Sequence, residues 1–215
     1  MIKCIFFDMD GVIINSEPMH FAVWKQVFAE YGLDVEYDVY KGCIGSNANF
    51  LLKLIYDGYG KDLREDEEIH KRFAEVKSAY MKEHGLPEIP GVKEAVRSLK
   101  EKGYRMAVVS SSPQEYIEQA IKRVGLEDCF EKLLSGDKIK NPKPAPDVYL
   151  MAAEAFGVTP EECAVVEDSH NGSKAAKAAG MTCYGFFNPD SGNQDLSITD
   201  LVFDDFQKLL EISGL

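Results

Sequence analysis

Short apolar segments alternate with amphipathic segments from residue 91 to the C-terminus, and this alternation constrains the fold more than any other feature of the chain. Alternating strands and helices of this length are typical of βαβ units, whose strands form a parallel sheet. The apolar run at 2–7 must join that sheet, because a lone strand is not stable. We therefore predict an α/β fold built on a parallel sheet. Its strands are expected at 2–7, 104–109, 132–135, 163–166, 182–187 and 201–203.

The segment 15–84 departs from this alternation and is predicted to be helical throughout. Apolar residues recur in it every three or four positions, the period of an amphipathic helix. We interpret it as a cap domain inserted between the first strand and the rest of the sheet, so that 1–14 and 85–215 form the core domain. The cap helices are expected at 18–31, 46–57 and 66–84, and the core helices at 92–102, 113–124, 147–156, 171–179 and 205–212.

Two capping boxes are predicted to start structural elements of the core. In Ser112-Pro113-Gln114-Glu115, the serine is expected to cap a helix whose first residue is Pro113. The sequence Thr159-Pro160-Glu161-Glu162 has the same pattern immediately before a predicted strand.

The composition excludes several classes of function. Of 215 residues, 45% are hydrophobic and 28% are charged, which suits a globular protein with a sizeable core. The formal net charge of −12 argues against a nucleic-acid partner, because such binding depends on Lys and Arg that neutralise phosphates. A small anionic substrate is still compatible with this net charge, since a bound cation and a few local hydrogen-bond donors can outweigh the negative potential of the whole protein.

The cysteines and the N-terminal segment favour a cytoplasmic protein. Five cysteines are scattered without CxxC spacing, which is typical of reduced core thiols. The N-terminal segment passes directly into a short strand-like run that contains aspartate. Neither a signal peptide nor a transmembrane helix is therefore predicted, and no membrane partner is expected.

Polar clusters follow three of the predicted strands at the point where each strand ends. Asp8 and Asp10 follow the first strand, Ser110 follows the second, and Glu167 and Asp168 follow the strand at 163–166. Sites in open α/β sheets lie outside the carboxyl ends of the strands, so these clusters are expected at one edge, below the cap. Residues two apart in a strand point to the same side, which brings the first two carboxylates together.

A stiff loop is expected to bring a lysine to the same edge. Three prolines surround Lys143 within the segment 141–147, and each of them restricts the backbone. Taken alone, Lys143 fits a solvated loop charge and Ser110 fits a cap at a strand end. The coincidence of four polar clusters at the correct ends of one sheet favours a site.

The chemistry that suits these groups is phosphoryl transfer. Carboxylates of Asp8 and Asp168, with water and a backbone carbonyl, match the oxygen ligands of Mg²⁺. Asp8 is expected to act as the nucleophile and to form an aspartyl-phosphate, and Asp10 as the general acid and base. Ser110, with Ser111 beside it, and Lys143 are expected to bind the phosphate oxygens, where charge is spread in the transition state.

The motifs resemble those of the haloacid dehalogenase superfamily of phosphohydrolases, and they occur in the same order along the whole chain. This resemblance implies a Rossmann-like core with a helical cap between the first two motifs, dependence on Mg²⁺, and Asp8 as nucleophile. It also implies metal ligands from the Asp8 side chain, the Asp10 backbone carbonyl and Asp168, with Glu167 in or next to the metal site. The matching segments are Phe7-Asp8-Met9-Asp10-Gly11, Val108-Val109-Ser110, Lys143-Pro144-Ala145-Pro146-Asp147 and Val165-Val166-Glu167-Asp168-Ser169 with Gly172.

Within the superfamily, the chain is similar to the β-phosphoglucomutase-like phosphatases with a helical cap. The run from Asp10-Gly11-Val12 into Ser16-Glu17-Pro18 supports this similarity, although Asn15 stands where the subgroup usually has aspartate. In the mutase, a cap loop carries a basic pair for the second phosphate of the substrate, whereas the corresponding segment 42–47 here is not basic. Four residues are weaker candidates for substrate contacts: His20, Asn47, Lys77 and Gln114.

Three functions are compatible with these motifs. The favoured one is a Mg²⁺-dependent phosphatase that cleaves small phosphate monoesters, including sugar phosphates, and whose partner is a small phosphorylated metabolite bound by a monomer. The alternative is a β-phosphoglucomutase-type sugar-phosphate mutase, in which the cap shields the aspartyl-phosphate from water. A non-catalytic phosphate-binding protein of the same fold is the third, and the complete set of reactive residues argues against it.

Overall fold

A single parallel sheet forms the centre of the molecule and confirms the predicted α/β fold. The computed structural model describes residues 1–44, 48–192 and 194–212. Within these residues, six strands lie in the order β3-β2-β1-β4-β5-β6, and each pairs in parallel with its neighbour. The strands are β1 (Cys4–Phe7), β2 (Arg105–Ser110), β3 (Lys132–Ser135), β4 (Cys163–Glu167), β5 (Thr182–Phe186) and β6 (Leu201–Phe203).

Helices connect the strands and also form the long segment between β1 and β2. Their bounds differ from the predicted ones by at most two residues, as is usual at frayed helix ends. A short helix at 37–40 was not predicted. The helices are α1 (Ser16–Glu30), α2 (Tyr37–Tyr40), α3 (Ala48–Tyr59), α4 (Glu67–His84), α5 (Val92–Glu101), α6 (Gln114–Val124), α7 (Asp147–Phe156), α8 (His170–Ala178) and α9 (Phe206–Leu210).

The predicted capping box at Ser112 is wrong. Helix α6 begins at Gln114 with Pro113 as its N-cap residue, and no side chain caps it. The Ser112 hydroxyl instead donates a hydrogen bond to Oδ2 of Asp10, a long-range partner that the local sequence does not indicate. The second box is present, with Thr159 N–H donating to Glu162, but it bounds a 3₁₀ turn at Pro160–Glu162.

Both faces of the sheet are buried, which explains why β1 is apolar at every position. Ile5 and Phe7 face one apolar cluster, with residues of α5, α6 and α9. Cys4 and Phe6 face the other cluster, with residues of α7 and α8. The five cysteines are all buried and unpaired. Among the helices of the described residues, none is both long and apolar enough to cross a membrane.

The segment predicted to form the cap has an apolar cluster of its own. Side chains of α1, α3 and α4 make up this cluster, with Trp24 stacked on Phe73 at a centroid distance of 4.3 Å. Two short connections join the segment to the core and bond to each other: Asn15 N–H donates to Pro87 O, and Ile89 N–H donates to Ile13 O. The division into a core domain and a cap domain at 15–84 stays a prediction, and this arrangement supports it.

The strand order determines where a site forms. From β1 the chain builds β2 and β3 on one side and then returns to build β4, β5 and β6 on the other. The order therefore reverses at β1, and a crevice opens there at the carboxyl ends of the strands.

Candidate active site

The turn after β1 places two carboxylates at this crevice. Asp8 continues the strand, since its N–H donates to Val166 O at 3.0 Å, and its side chain is largely buried. Gly11 adopts φ +82°, which favours glycine, and it also makes room for the neighbouring strand end. A Cβ at this position would lie 1.9 Å from Oδ2 of Asp168. The glycine is therefore needed both for the turn and for the close approach of Asp168.

Lys143 bridges the ends of β1 and β4. Its Nζ lies 2.6 Å from Oδ1 of Asp8 and 2.7 Å from Oε1 of Glu167, and all three side chains are buried or nearly so. Burial opposes its charge, but the carboxylates of Asp8 and Glu167 raise the pKa of Lys143 well above its ordinary value. The lysine is therefore a fixed cation at the crevice, as the proline-rich loop predicts. The peptide bond between Lys143 and Pro144 is cis.

Both oxygens of Glu167 already have partners. Oε1 accepts from Lys143 and from the Tyr149 hydroxyl at 2.9 Å, and Oε2 accepts from the backbone N–H and hydroxyl of Ser169 at 3.0 and 2.9 Å. Although burial favours the neutral acid, the contact with Lys143 leaves the pKa of Glu167 below its ordinary value. Glu167 therefore helps to hold Lys143, and its place in the metal site stays a prediction. Gly172 allows this packing, since a Cβ there would lie 1.6 Å from Oε1.

Two further acids at the crevice are less well compensated. Burial raises the pKa of Asp8 to about 7, against the opposing effect of Lys143. Burial also raises the pKa of Asp168 well above its ordinary value, and the carboxylates of Glu167 and Asp8 add to this effect. The Ser191 hydroxyl donates a short hydrogen bond to Oδ2 of Asp168. The crevice therefore carries more buried negative charge than its lysine neutralises.

Three serines at the end of β2 line or approach the same space. Ser110 is buried, and its hydroxyl accepts a hydrogen bond from Ser112 N–H at 3.1 Å. Ser111 lies beside it on the cavity wall. The Ser112 hydroxyl lies 2.8 Å from Oδ2 of Asp10, while Oδ1 of Asp10 is buried and has no hydrogen-bond partner among the described residues. Asp10 is thus held at one oxygen by Ser112.

These groups surround one cavity of about 330 Å³. All of the residues predicted for catalysis, phosphate binding and metal binding line this cavity, and they come from four separate parts of the chain. The structure therefore brings the predicted cluster together, while the role of each residue stays a prediction. Its walls include Asp8, Asp10, Ser110, Ser111, Lys143, Glu167 and Asp168, together with Gly11, Glu17, Ile44, Ser169, Asn171, Ser191 and Gln194.

A second cavity of about 260 Å³ lies in the cap segment, and Glu17 and Ile44 line both cavities. The Tyr40 hydroxyl donates to Oε2 of Glu17 at 2.7 Å. Burial lowers the pKa of His20 to about 4, so its imidazole is neutral at pH 7. Its Nε2 has no hydrogen-bond partner within the part of the chain that the structure describes. Burial also lowers the pKa of Lys77, whose Nζ lies 4.3 Å from the ring centroid of Tyr116. Two of the four weaker candidates, His20 and Lys77, therefore lie next to the crevice.

The other two weaker candidates do not gain support. Gln114 is exposed and donates to Glu118 and to Leu133 O, and it is absent from the walls of both cavities. Asn47 lies outside the described residues.

The donor set suits a small divalent cation. Among the described residues, no group of three His, Cys, Asp or Glu side chains is gathered closely enough to hold a metal alone. Mg²⁺ does not need such a group, since it binds one or two carboxylates and keeps several waters or phosphate oxygens. Asp8 and Asp168 supply two oxygen-bearing side chains, and the buried, uncompensated charge around them would be neutralised by a cation. The residues present therefore fit Mg²⁺.

Several contributors to the site were missed by sequence reasoning. Tyr149 lies inside a predicted helix and has the spacing of a core residue, and Ser112 fits a helix cap. Ser191 and Asn188 lie after β5, in a loop that has no motif pattern. The only signal in the sequence was the number of polar residues between 188 and 194, which by itself is typical of any loop.

Known proteins share both the motifs and the fold of this chain. The family model of haloacid dehalogenase-like hydrolases matches residues 5–186. The phosphorylated carbohydrates phosphatase of Thermotoga maritima is 33% identical over 183 residues, covering 84% of this chain and 82% of the relative. Hexitol phosphatase B of Escherichia coli K12 is 33% identical over 193 residues, covering 89% of this chain and 86% of the relative.

A solved structure shares the fold of this chain. The crystal structure of β-phosphoglucomutase from Clostridium difficile superposes with a TM-score of 0.74 at 27% identity, covering 97% of this chain and 93% of the other. The family match covers most of the chain, and the predicted motifs lie inside it. This chain belongs to the haloacid dehalogenase-like hydrolases.

Proposed function

We propose that this chain is a Mg²⁺-dependent phosphatase that cleaves small phosphate monoesters through an aspartyl-phosphate on Asp8. Its class, a phosphatase of the haloacid dehalogenase-like family, follows from the family match and the relatives named above. The observation that carries the residue roles is the convergence of Asp8, Asp10, Ser110 and Lys143 on one buried cavity. The cytoplasmic location and the monomeric state stay predictions.

The first chemical step is an attack by Asp8 on the phosphorus atom. The nucleophile must be ionised, and Lys143, which lies 2.6 Å from Oδ1, favours that form. Ser110, Ser111 and Lys143 line the same cavity and are proposed to bind the phosphate oxygens. Asp10, oriented by Ser112, donates a proton to the leaving oxygen as the ester bond breaks.

The second step is hydrolysis of the aspartyl-phosphate. Asp10 is now deprotonated and accepts a proton from the attacking water, so that phosphate leaves and Asp8 is regenerated. The cation would be held by the carboxylates of Asp8 and Asp168 and by the backbone carbonyl of Asp10. When bound, it supplies positive charge that lowers the repulsion between the carboxylates and the phosphate.

The cap cavity is the proposed place for the leaving group. Aromatic and polar side chains line it, namely Trp24 and Phe73 together with Glu17, His20 and Lys77. Such a combination suits a hydroxylated carbon skeleton, with apolar faces and hydrogen-bonding edges. We therefore propose sugar phosphates and related polyol phosphates as the substrates, the class named for both relatives.

A sugar-phosphate mutase is the second candidate, and the similarity to β-phosphoglucomutase favours it. Lys41 is the base nearest to the cap loop in the sequence. Its Nζ lies 2.6 Å from Asp38 in an exposed ion pair, and Lys41 is absent from the walls of both cavities. Lys41 is therefore not available to bind a second phosphate group of a substrate in either cavity, which favours the phosphatase over the mutase.

The test is phosphate release from a panel of sugar and polyol monophosphates, first with Mg²⁺ and then with a chelator. We expect release that requires both the metal and Asp8, with Asp8→Asn as a folded and inactive control. Release by Asp8→Asn at the parent rate would contradict the covalent mechanism. No release by a folded parent, together with isomerised sugar phosphate when a bisphosphate is added, would favour the mutase.

A further inference from the structure

The loop 188–192 follows β5 and lies against the active-site turn, although none of the roles assigned above depends on it. Two of its polar side chains, Asn188 and Ser191, are only 5% and 4% exposed. Buried polar side chains are costly unless they are hydrogen-bonded, so the partners of these two indicate what the loop does.

The partners belong to both halves of the proposed metal site. Ser191 Oγ donates to Oδ2 of Asp168. Asn188 Nδ2 donates to the carbonyl oxygen of Gly11 at 3.0 Å, one residue after the Asp10 carbonyl that is proposed to bind the metal. One short loop therefore touches the turn after β1 and the carboxylate after β4.

The loop is itself held in place by further hydrogen bonds. Asn188 Oδ1 accepts from Asp190 N–H at 2.9 Å and so caps the 3₁₀ turn that carries Ser191. Asn15 Nδ2 donates to Oδ2 of Asp190 at 2.7 Å. These contacts fix the backbone of the loop, so the position of the Ser191 hydroxyl is determined by the fold and not by a free rotamer at the surface.

The carboxylate of Asp168 has little freedom on this side. A Cβ on Gly11 would lie 1.9 Å from Oδ2 of Asp168 and 2.9 Å from Oγ of Ser191, so these three groups are in close contact. A ligand that is already oriented loses less entropy when it binds a metal, and hydrogen-bonding partners of metal ligands contribute substantially to metal affinity for this reason.

We propose that Ser191 is a positioning residue for the divalent cation: its hydroxyl orients the Asp168 carboxylate, and Asn188 anchors the loop from which it acts. The inference rests on the proposed function, since it concerns the magnesium site of that function. It assigns to the loop after β5 a role in metal binding that no motif of the sequence indicates.

The test is a calorimetric titration of the substrate-free protein with Mg²⁺, for the parent, Ser191→Ala and Ser112→Ala. Each variant removes one serine hydroxyl that donates a hydrogen bond to a carboxylate of the same cavity. We expect Ser191→Ala to raise the Kd for Mg²⁺ roughly 10–100-fold, the usual effect of losing a partner of a metal ligand. Ser112→Ala should keep the parent Kd, because Ser112 contacts the Asp10 side chain and not its carbonyl.

Further measurements separate positioning from a loss of structure. Ser191→Ala should lower the unfolding temperature in chelator by only a few degrees, as expected for one lost hydrogen bond, and saturating Mg²⁺ should restore most of its kcat. If this variant does not fold, Ser191→Cys keeps the shape of the side chain with a slightly larger atom and a weaker donor, and it should also bind Mg²⁺ more weakly. A parent-like Kd in the folded Ser191 variant, or an equal loss in Ser112→Ala, would overturn the inference. A folded parent that binds no Mg²⁺ would overturn the proposed magnesium site as well.

Discussion

At the scale of single residues, the site is defined by buried carboxylates and by the few groups that bond to them. Lys143 compensates Asp8 and Glu167, while Ser191 bonds Asp168 and Ser112 bonds Asp10. One lysine does not neutralise four carboxylates, so the metal-free site is electrostatically strained, and this strain has measurable consequences for stability.

The first prediction concerns the pH dependence of stability in chelator. The pKa of Asp8 is about 7 in the folded protein, against 3.8 for an ordinary aspartate, and the pKa of Asp168 is also raised. Between these values the folded protein binds more protons than the unfolded chain, so its stability falls as the pH rises. The lowered pKa of His20 acts in the opposite sense between about pH 4 and pH 6.5 and reduces this fall, but a single imidazole opposes two buried acids. We expect the unfolding temperature in chelator to show a net fall from about pH 5 to about pH 8, steepest above about pH 6.5, by about 2–4 °C for each kcal/mol lost.

Two comparisons check the cause of this fall. Asp8→Asn should flatten the pH profile, because it removes one of the two acids. Mg²⁺ should raise the unfolding temperature of the parent more at pH 8 than at pH 5. The carboxylates are ionised more fully at pH 8 and bind the cation more tightly, and a ligand that binds the folded state more tightly stabilises it more. An unfolding temperature in chelator that rises with pH over this interval would contradict the burial of ionisable Asp8.

The second prediction concerns Ser112, which orients the proposed acid. Ser112→Ala should lower kcat/KM for a sugar phosphate about tenfold, equivalent to the roughly 1.5 kcal/mol that a hydrogen bond to a charged group contributes. The loss should be smaller for p-nitrophenyl phosphate, whose leaving group needs less help from an acid. An equal loss for both substrates would show that Ser112 does not act through Asp10.

At the scale of elements, β4 and α8 are joined by an unusually close contact. The Ser169 hydroxyl donates to Glu167 and accepts from Gly172 N–H at 3.0 Å, so the cap of α8 is also a support of the site. Because the helix starts directly against the carboxylate of Glu167, position 172 in its first turn has room only for a residue without a side chain. The glycine at 172, which follows the Glu167-Asp168-Ser169 segment, is thus explained by packing.

The third prediction tests this packing. Gly172→Ala places a methyl group 1.6 Å from Oε1 of Glu167, so the helix or the acid must move, and we expect a loss of at least about 2 kcal/mol of unfolding free energy. The matched control is Gly58→Ala in α3, where a Cβ meets nothing within 4 Å. That variant should be neutral or more stable by up to about 1 kcal/mol, since alanine favours helices. Equal unfolding temperatures for the two variants would contradict the contact.

At the scale of the whole molecule, the catalytic crevice and the cap cavity are neighbours that share Glu17 and Ile44. The phosphate end of a substrate is proposed to bind the core, and its carbon skeleton is proposed to bind the cap segment. The single tryptophan of the chain, Trp24, lines the cap cavity and stacks on Phe73. Its fluorescence therefore reports on this cavity alone.

The fourth prediction uses this reporter. Addition of a sugar phosphate to inactive Asp8→Asn with Mg²⁺ should change the fluorescence of Trp24 in a saturable manner. Inorganic phosphate should have a much smaller effect, because it occupies only the end of the site near Ser110 and Lys143. A sugar phosphate that binds by calorimetry but leaves the fluorescence unchanged would place its leaving group outside the cap cavity.

The sequence by itself determined the class of fold and the location of the site. Strand and helix periods are local properties, and the rule that sites form at the carboxyl ends of parallel strands turns them into a prediction about Asp8, Ser110 and Asp168. The structure confirms the parallel sheet and gathers these residues around one cavity. The resemblance to the haloacid dehalogenase superfamily, drawn from four motifs, is confirmed by the family match.

Only the tertiary structure decided how each reactive group is held. Ser112 fits a helix cap as well as a partner for Asp10, and the choice depends on a carboxylate 102 positions away in the chain. Tyr149 has the helical spacing of a core residue, yet its hydroxyl bonds Glu167. Ser191 approaches Asp168 only because β5 lies beside β4 in the sheet. Local patterns specify which groups can act, whereas long-range packing specifies which donor each buried carboxylate receives.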